Sequence, residues 1–412
     1  VARSYAFTNC CLIDCTDGEQ REGAFMVVEG DRIREVGEGS PGKLPSNCLT
    51  FDLKGKALMP GLIDAHVHVC IIEADPHRAF TEAGAVFACR VGRILEETLQ
   101  MGFTTVRDAG LADLGFKLAV EQGYIKGPRL LICNSMISQT GGHGDFRRRL
   151  DPRPPFAPNG VCAMPSICDG PDEIRKAARE QLRNGADHVK IMAAGGGMSP
   201  TDQLDTSQYT VEELRAAAQE AQAAGTYAMA HTYSSTSIKN CMEAGIRTVE
   251  HGNLLDEEAA LKIKEAGAYL VPTMVTYETM VSYGAEYGVP EFNIYKMNIA
   301  REKSIEGLQI AHTAGVKIGS GSDLLGPLQK YKARELVLKT EVMTPAESLL
   351  SATKVNSEIL MMEKDIGTIE EGKLADVIVV DGNPLKDISV IENVENIRLI
   401  MKGGELYKNL DW

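Results

Sequence analysis

Residues 60–68 read PGLIDAHVH. A proline–glycine pair opens a short apolar run that ends in two histidines one residue apart. Side chains two apart on a strand share a face, so His66 and His68 can present both imidazoles to one centre. A strand that delivers polar groups at its carboxyl end is what a parallel barrel places around an active site. The fold therefore turns on whether the chain supplies the remaining strands.

Seven further segments have strand character: 104–108, 129–134, 188–193, 226–231, 248–251, 269–274 and 317–323, following a first at 58–68. Most gaps carry helical patterns, such as VEELRAAAQ at 211–219. Eight strands alternating with helices predict an α/β fold, a (β/α)8 TIM-like barrel. The flanks differ from this middle. Residues 5–57 and 367–408 hold short β-like runs separated by turn residues, such as GAFMVVEGD at 23–31 and LADVIVVDGNP at 374–384. They predict one small β-sandwich domain from both chain ends, over 1–57 and 362–412, around a barrel over 58–361. One gap, 141–170, contains five prolines and the run Arg147-Arg148-Arg149, and reads as a functional loop at the barrel mouth.

Composition narrows the class. The 412 residues are 44% hydrophobic and 24% charged, with a net charge of −14. An acidic surface argues against nucleic acid or anionic membranes and favours a small-molecule substrate. No run of about 20 apolar residues is present, so no membrane partner is expected. Ten scattered cysteines without paired CxxC spacing read as free thiols in a reducing, cytoplasmic compartment. The chain starts at Val1 rather than Met, which leaves room for a preceding leader or tag.

The strand at 188–193 holds an anomaly, because HVKIMA buries Lys190 among apolar neighbours. An unpaired ammonium is costly there. Other strands end in ligand-type residues as well: His231 on the fifth, His251 on the sixth and Asp323 on the eighth. Each alone has an ordinary structural explanation, such as a bonded core histidine or a helix cap. Six at one barrel rim, with His66 and His68, point to a metal site. His188, at the foot of its strand, and His77 and His312, in helical stretches, take structural roles, and Arg107 with Asp108 suggests a structural pair.

With these residues in place, the sequence resembles the amidohydrolase superfamily. The resemblance rests on Pro60–His68, Lys190, Ala230-His231, Glu250-His251-Gly252-Asn253 and Gly321-Ser322-Asp323, and spans nearly the whole chain. It implies two divalent metal ions, most simply Zn²⁺. His66, His68 and Asp323 would hold one and His231 and His251 the other, bridged by a carbon dioxide-derived carbamate on Lys190. It also implies that a hydroxide between the metals attacks the substrate while Asp323 shuttles its proton to the leaving amine. Burial agrees with the carbamate, since a lowered amine pKa favours carboxylation. The glycines at 195–197 suit close approach of backbone to the site.

Segments 137–145, 191–197 and 230–233 look like the Xaa-Pro dipeptidase (prolidase)-like members of the imidazolonepropionase-related branch. The resemblance implies release of a C-terminal amino acid, with His143 and Tyr233 binding the substrate carbonyl and stabilising its oxyanion. Alternatives are an ochratoxinase-like N-acyl amino acid amidase, a carboxypeptidase for C-terminal Arg or Lys, and a cyclic amidase or deaminase. Ochratoxinase-like sequences tend to carry His where this chain has Tyr233. Lys190 counts against mononuclear ring-opening enzymes, and the six filled ligand positions count against a non-catalytic scaffold. Relatives are often homo-oligomers, and that is the expected assembly.

Overall fold

The computed structural model describes residues 3–412 except 76, 77, 79, 154–159 and 200. The expectation for His77 lies outside the described residues.

The chain begins with β1 (Ser4–Leu12), β2 (Arg21–Glu29), β3 (Arg32–Glu38), β4 (Leu49–Asp52) and β5 (Ala57–Pro60). It then enters the barrel with β6 (Leu62–Val67). Continuous burial along β6 matches a strand covered on both faces. Its successors are α1 (Gly84–Gln100), β7 (Phe103–Asp108), α2 (Leu114–Glu121) and β8 (Arg129–Leu131). Two short strands follow, β9 (Ile137–Ser138) and β10 (Ser166–Ile167), then α3 (Pro171–Arg183), β11 (Val189–Met192) and α4 (Val211–Ala223). The second half runs β12 (Ala228–Ser234), α5 (Ser235–Ala244), β13 (Thr248–Leu254), α6 (Glu257–Glu265) and β14 (Tyr269–Val271). It ends with α7 (Met274–Tyr283), α8 (Glu291–Ala314), β15 (Lys317–Ile318), α9 (Arg334–Lys339), α10 (Pro345–Ser351) and α11 (Lys354–Ile359). β16 (Val377–Val380), β17 (Ile397–Lys402) and β18 (Glu405–Asn409) close the chain.

Local signals explain the helices. In α3, Pro171 sits in the first turn, and Ile174, Ala177, Ala178 and Gln181 make one buried stripe at helical spacing. A reciprocal Thr210–Glu213 capping box starts α4, and Gly245 ends α5 in the left-handed conformation.

The parallel ladders form two arcs, β6-β7-β8 and β9-β11-β12-β13-β14-β15, with β10 on the edge of β9. Backbone bonds join the arcs into the (β/α)8 barrel. Ala65 N donates to Ser320 O at 2.9 Å and Asp323 N to His66 O at 2.8 Å on one seam. Asp187 N donates to Ile132 O at 2.7 Å on the other. The β-sandwich sheet draws on both chain ends, in the order β18-β17-β16-β5-β1-β2-β3. β4 pairs with the first half of β1 and β5 with its end, so β1 divides the sheet into layers. Tyr5, Phe7, Met26, Val28, Val377 and Leu399 fill its core.

Two expectations change. The run at 58–68 is two strands, because Leu58–Pro60 pairs with β16 in the sandwich while Leu62 starts the barrel. Gly61 makes the joint: a Cβ there would lie 2.1 Å from Thr104 Oγ1. Arg107 and Asp108 are not a pair. Neighbours on β7 point to opposite faces, so Arg107 reaches Glu250 while Asp108 accepts from the amides of Val69, Gly110 and Ala112.

Candidate active site

His66 on β6, His68 just beyond it, Lys190 within β11, His231 and His251 midway along β12 and β13, and Asp323 in the turn after β15 come together inside the barrel. Donor atoms of His66, His251 and Asp323 lie within 4.8 Å of one another. Asp323 Oδ1 is 3.5 Å from His66 Nε2 and 3.4 Å from His68 Nε2. The rings of His231 and His251 are 4.5 Å apart, centroid to centroid. His251 and Asp323 have φ of 78° and 50°, left-handed values that non-glycine residues hold only under tertiary constraint.

One ring nitrogen of each histidine is held by the protein. His66 Nδ1 bonds Glu250 Oε2 at 2.7 Å, and His68 Nδ1 meets Gly110 O at 3.3 Å. His231 Nε2 bonds Gly195 O at 3.0 Å, and His251 Nδ1 bonds Thr273 Oγ1 at 2.7 Å. For His66, His68 and His231 the partner is a carboxylate or carbonyl, so the proton sits on the bonded nitrogen and a lone pair is left on the other, which is how metal-binding imidazoles are set. Electrostatics favour the same state. Burial pushes His66, His231 and His251 well below the ordinary imidazole value, helped by nearby positive groups. His68 falls to about 3 for the same reason, burial first and then Lys190. The four rings are neutral and can act as ligands.

Lys190 is buried at 1% exposure. Burial lowers its pKa, against the opposing charges of Glu250 and Asp323. Burial raises Asp323 to about 7, with Lys190 pulling the other way. These four histidines, a carboxylate and an amine suited to carboxylation fit a pair of divalent ions.

A cleft opens over this cluster. His68, His143, His231, Tyr233, Thr276 and Asp323 contribute its polar wall, and Ile71, Met136, Phe146, Met192, Met198 and Met297 are prominent in its apolar wall. The His143 ring stacks on His231 with centroids 4.1 Å apart, and its buried Nδ1 has no hydrogen-bond partner among the described residues. It lies against Gly196, where a Cβ would come within 2.1 Å of the ring. Tyr233 stacks on His251 and accepts a hydrogen bond from Tyr277 at 3.2 Å. His143 and Tyr233 thus flank the histidine cluster at the cleft.

Several supporting residues escaped sequence reasoning. Glu250 accepts from Arg107 Nη2 at 2.8 Å and Thr248 Oγ1 at 2.6 Å while holding His66. Asp64 accepts from Ser322 N and Oγ at 2.9 and 2.6 Å, and Lys332 lies 3.5 Å away. Asp64 and Glu250 stand inside the quoted histidine motifs, which was the available signal. Thr273, Tyr277 and Lys332 had none. The two other described histidines lie outside the cluster: His188 stacks on Tyr227, and His312 bonds Glu347 at 3.1 Å. Arg147 pairs with Asp145, and Arg148 and Arg149 are exposed.

Barrel, sandwich and histidine cluster together define the class, and residues 57–407 match the amidohydrolase family. The chain belongs to that family and is a metal-dependent hydrolase acting on carbon–nitrogen bonds. It is similar to a prolidase crystallised with N-methylphosphonate-L-proline, 41% identical with a TM-score of 0.95 over 98% of this chain and 100% of that one. An amidohydrolase crystal structure is 44% identical, with a TM-score of 0.94 over 98% and 99% of the two chains. Ochratoxinase from Aspergillus niger is 32% identical over 414 aligned positions, covering 95% of this chain and 84% of that protein.

Proposed function

We propose that this chain is a binuclear metal-dependent hydrolase that releases a C-terminal amino acid from an amide, with Xaa-Pro dipeptides as the preferred class. The single observation that carries the metal pair is the set of four buried histidines. Each has one nitrogen held by the protein and one left over, and His66 and His68 turn theirs to Asp323 at 3.5 and 3.4 Å. His66, His68 and Asp323 would hold one ion, His231 and His251 the other, and carboxylated Lys190 would join them. Bound there, two ions such as Zn²⁺ polarise the carbonyl and supply a nucleophile at neutral pH.

The protein's own groups complete the chemistry. Asp323, whose side chain keeps 17% exposure towards the cleft, accepts a proton and returns it to the leaving amine. His143 and Tyr233 donate to the oxygen that gains charge as the carbonyl becomes tetrahedral. The apolar wall dries the cleft and seats an apolar substrate group.

The wall also ranks the alternatives. Among the described residues Asp323 is the only carboxylate in it, and that group is committed to the centre, so these residues offer a cationic Arg or Lys side chain no counter-charge. An N-acyl amino acid amidase remains the second reading, favoured by the methionines, which adapt to bulky apolar groups. A hydrolysis screen of dipeptides and N-acyl amino acids, using protein reconstituted with zinc and bicarbonate, tests the proposal. Turnover confined to Xaa-Pro substrates supports the first reading, turnover of bulky N-acyl amino acids the second. Absence of amide hydrolysis refutes both.

A further inference from the structure

Helix α8 supplies no candidate ligand, yet its first two turns grip the glycine turn after β11. Lys296, 5% exposed, donates from Nζ to Gly196 O at 2.7 Å, Ser199 O at 2.8 Å and Asp202 O at 3.2 Å. An ammonium has three donors, and here three backbone carbonyls take them. Carbonyl dipoles converging on one point repel one another unless a cation sits between them. The conformation of this turn therefore depends on Lys296. One helical turn earlier, Asn293 Nδ2 donates to Gly197 O at 2.7 Å.

Two routes lead from this clamp to the site. Through the backbone, Gly195 O accepts from His231 Nε2, and Gly196 forms the surface against which His143 lies. Through side chains, the Asp202 carboxylate lies 3.8 Å from Lys296 Nζ and accepts from Gln208 Nε2 at 2.8 Å. Gln208 Oε1 in turn accepts from His143 N at 3.0 Å. Both ends of the stacked His143–His231 pair are thereby referred to one buried ammonium.

We propose that Lys296, assisted by Asn293, is a positioning residue: it gathers the carbonyls of Gly196, Ser199 and Asp202 and so fixes the Gly195 carbonyl that orients His231 and the seat of His143. Its kinetic consequences rest on the amide-hydrolase reading, and its effect on metal retention follows from His231 as a candidate ligand. A residue that only stabilised the fold would lower the melting temperature and leave metal stoichiometry and turnover of the folded protein unchanged.

The test is Lys296→Met, which keeps the apolar stem and removes the charge. The expected result is a kcat lowered about 10–100-fold, with metal content falling from two equivalents towards about one, the scale of losing a group that orients a ligand. Metal content is measured by elemental analysis after dialysis, and folding by circular dichroism. Folded Lys296→Met with wild-type metal content and wild-type kcat overturns the proposal. If that variant does not fold, Asn293→Ala carries the test, with kcat expected to drop about threefold or more. Unchanged kcat and metal content in Asn293→Ala would equally overturn it. Wild-type protein that hydrolyses no amide defeats the functional reading instead, and metal retention alone then decides the clamp.

Discussion

Replacing Glu250 by Gln tests the electrostatic design beneath the proposed metal pair. Glu250 is fully buried and serves three donors: His66 Nδ1 at 2.7 Å, Arg107 Nη2 at 2.8 Å and Thr248 Oγ1 at 2.6 Å. Gln has nearly the same shape but only one acceptor oxygen, and its amide nitrogen must face a donor. Either His66 or Arg107 loses its partner. Whichever of them loses its hydrogen bond, the negative charge is gone and the Arg107 guanidinium at 0% exposure is left without its counter-charge, a loss of about 3–5 kcal/mol of folding stability. If it is His66, its ring orientation and basicity weaken, lowering metal affinity about 10–100-fold, or roughly 1.4–2.7 kcal/mol. Urea denaturation reads the first quantity and competition with a chromogenic chelator the second. The double variant Glu250→Gln, Arg107→Met removes the stranded charge and should recover part of the stability but none of the metal affinity. Glu250→Gln with metal affinity within about twofold of wild type, and stability within about 0.5 kcal/mol, would refute the reasoning.

Lys190→Ala should abolish turnover and leave fewer than two bound ions, and short carboxylates added to the buffer should partly restore both. Retention of wild-type metal content would rule out the bridging role. Tyr233→Phe should lower kcat about 10²-fold or more, the scale of losing one oxyanion donor, while steady-state kinetics show a smaller change in KM. Gly61→Ala places a methyl 2.1 Å from Thr104 Oγ1, and overpacking of this kind costs about 1–3 kcal/mol in urea denaturation. Asp145→Asn should speed tryptic cleavage at exposed Arg148 and Arg149, since Arg147 Nε and Nη2 each bond the carboxylate at 2.7 Å. Burial raises the Asp145 pKa, but the bonds from Arg147 and the Gly141 and Arg147 amides outweigh it and set it below the ordinary 3.8. In the wild type this anchorage is therefore complete above 3.8 and is lost as pH falls below it, so protease sensitivity of the loop should rise only there.

The barrel strands were legible because strands covered on both faces must be nearly continuous apolar runs, and polar residues at their ends then stand out. That logic located His66, His231, His251 and Asp323 without any structure. It failed where the chain changes sheets. Nothing in the letters of LMPGLID separates a sandwich strand from a barrel strand; the break shows in the partners, Gly61 N donating to Asp376 O and Leu62 N to Gly102 O, both at 2.9 Å. It failed again for partners distant in sequence. Glu250 and Arg107 are 143 positions apart, and Lys296 meets the glycine turn across 100. Strand periodicity gives the face of Arg107 but not which strand lies opposite, so the nearer Asp108 was the natural partner to assign.

The buried charges around Lys190 give a reason for a carbamate that its apolar strand alone does not. Lys190, Arg107 and Lys332 are surrounded by Asp64, Asp108, Glu250 and Asp323, three cations against four carboxylates in one dry region. Two divalent ions would add four positive charges and turn that deficit of one into an excess of three, which is costly to bury. Carboxylation converts Lys190 from a cation to an anion and so removes two of those charges at one residue. One ion needs much less compensation, and a protonated lysine beside it would be tolerable. The proposed metal pair and the carbamate should therefore appear together. Protein refolded without bicarbonate should take up about one zinc per chain, and addition of bicarbonate should admit the second.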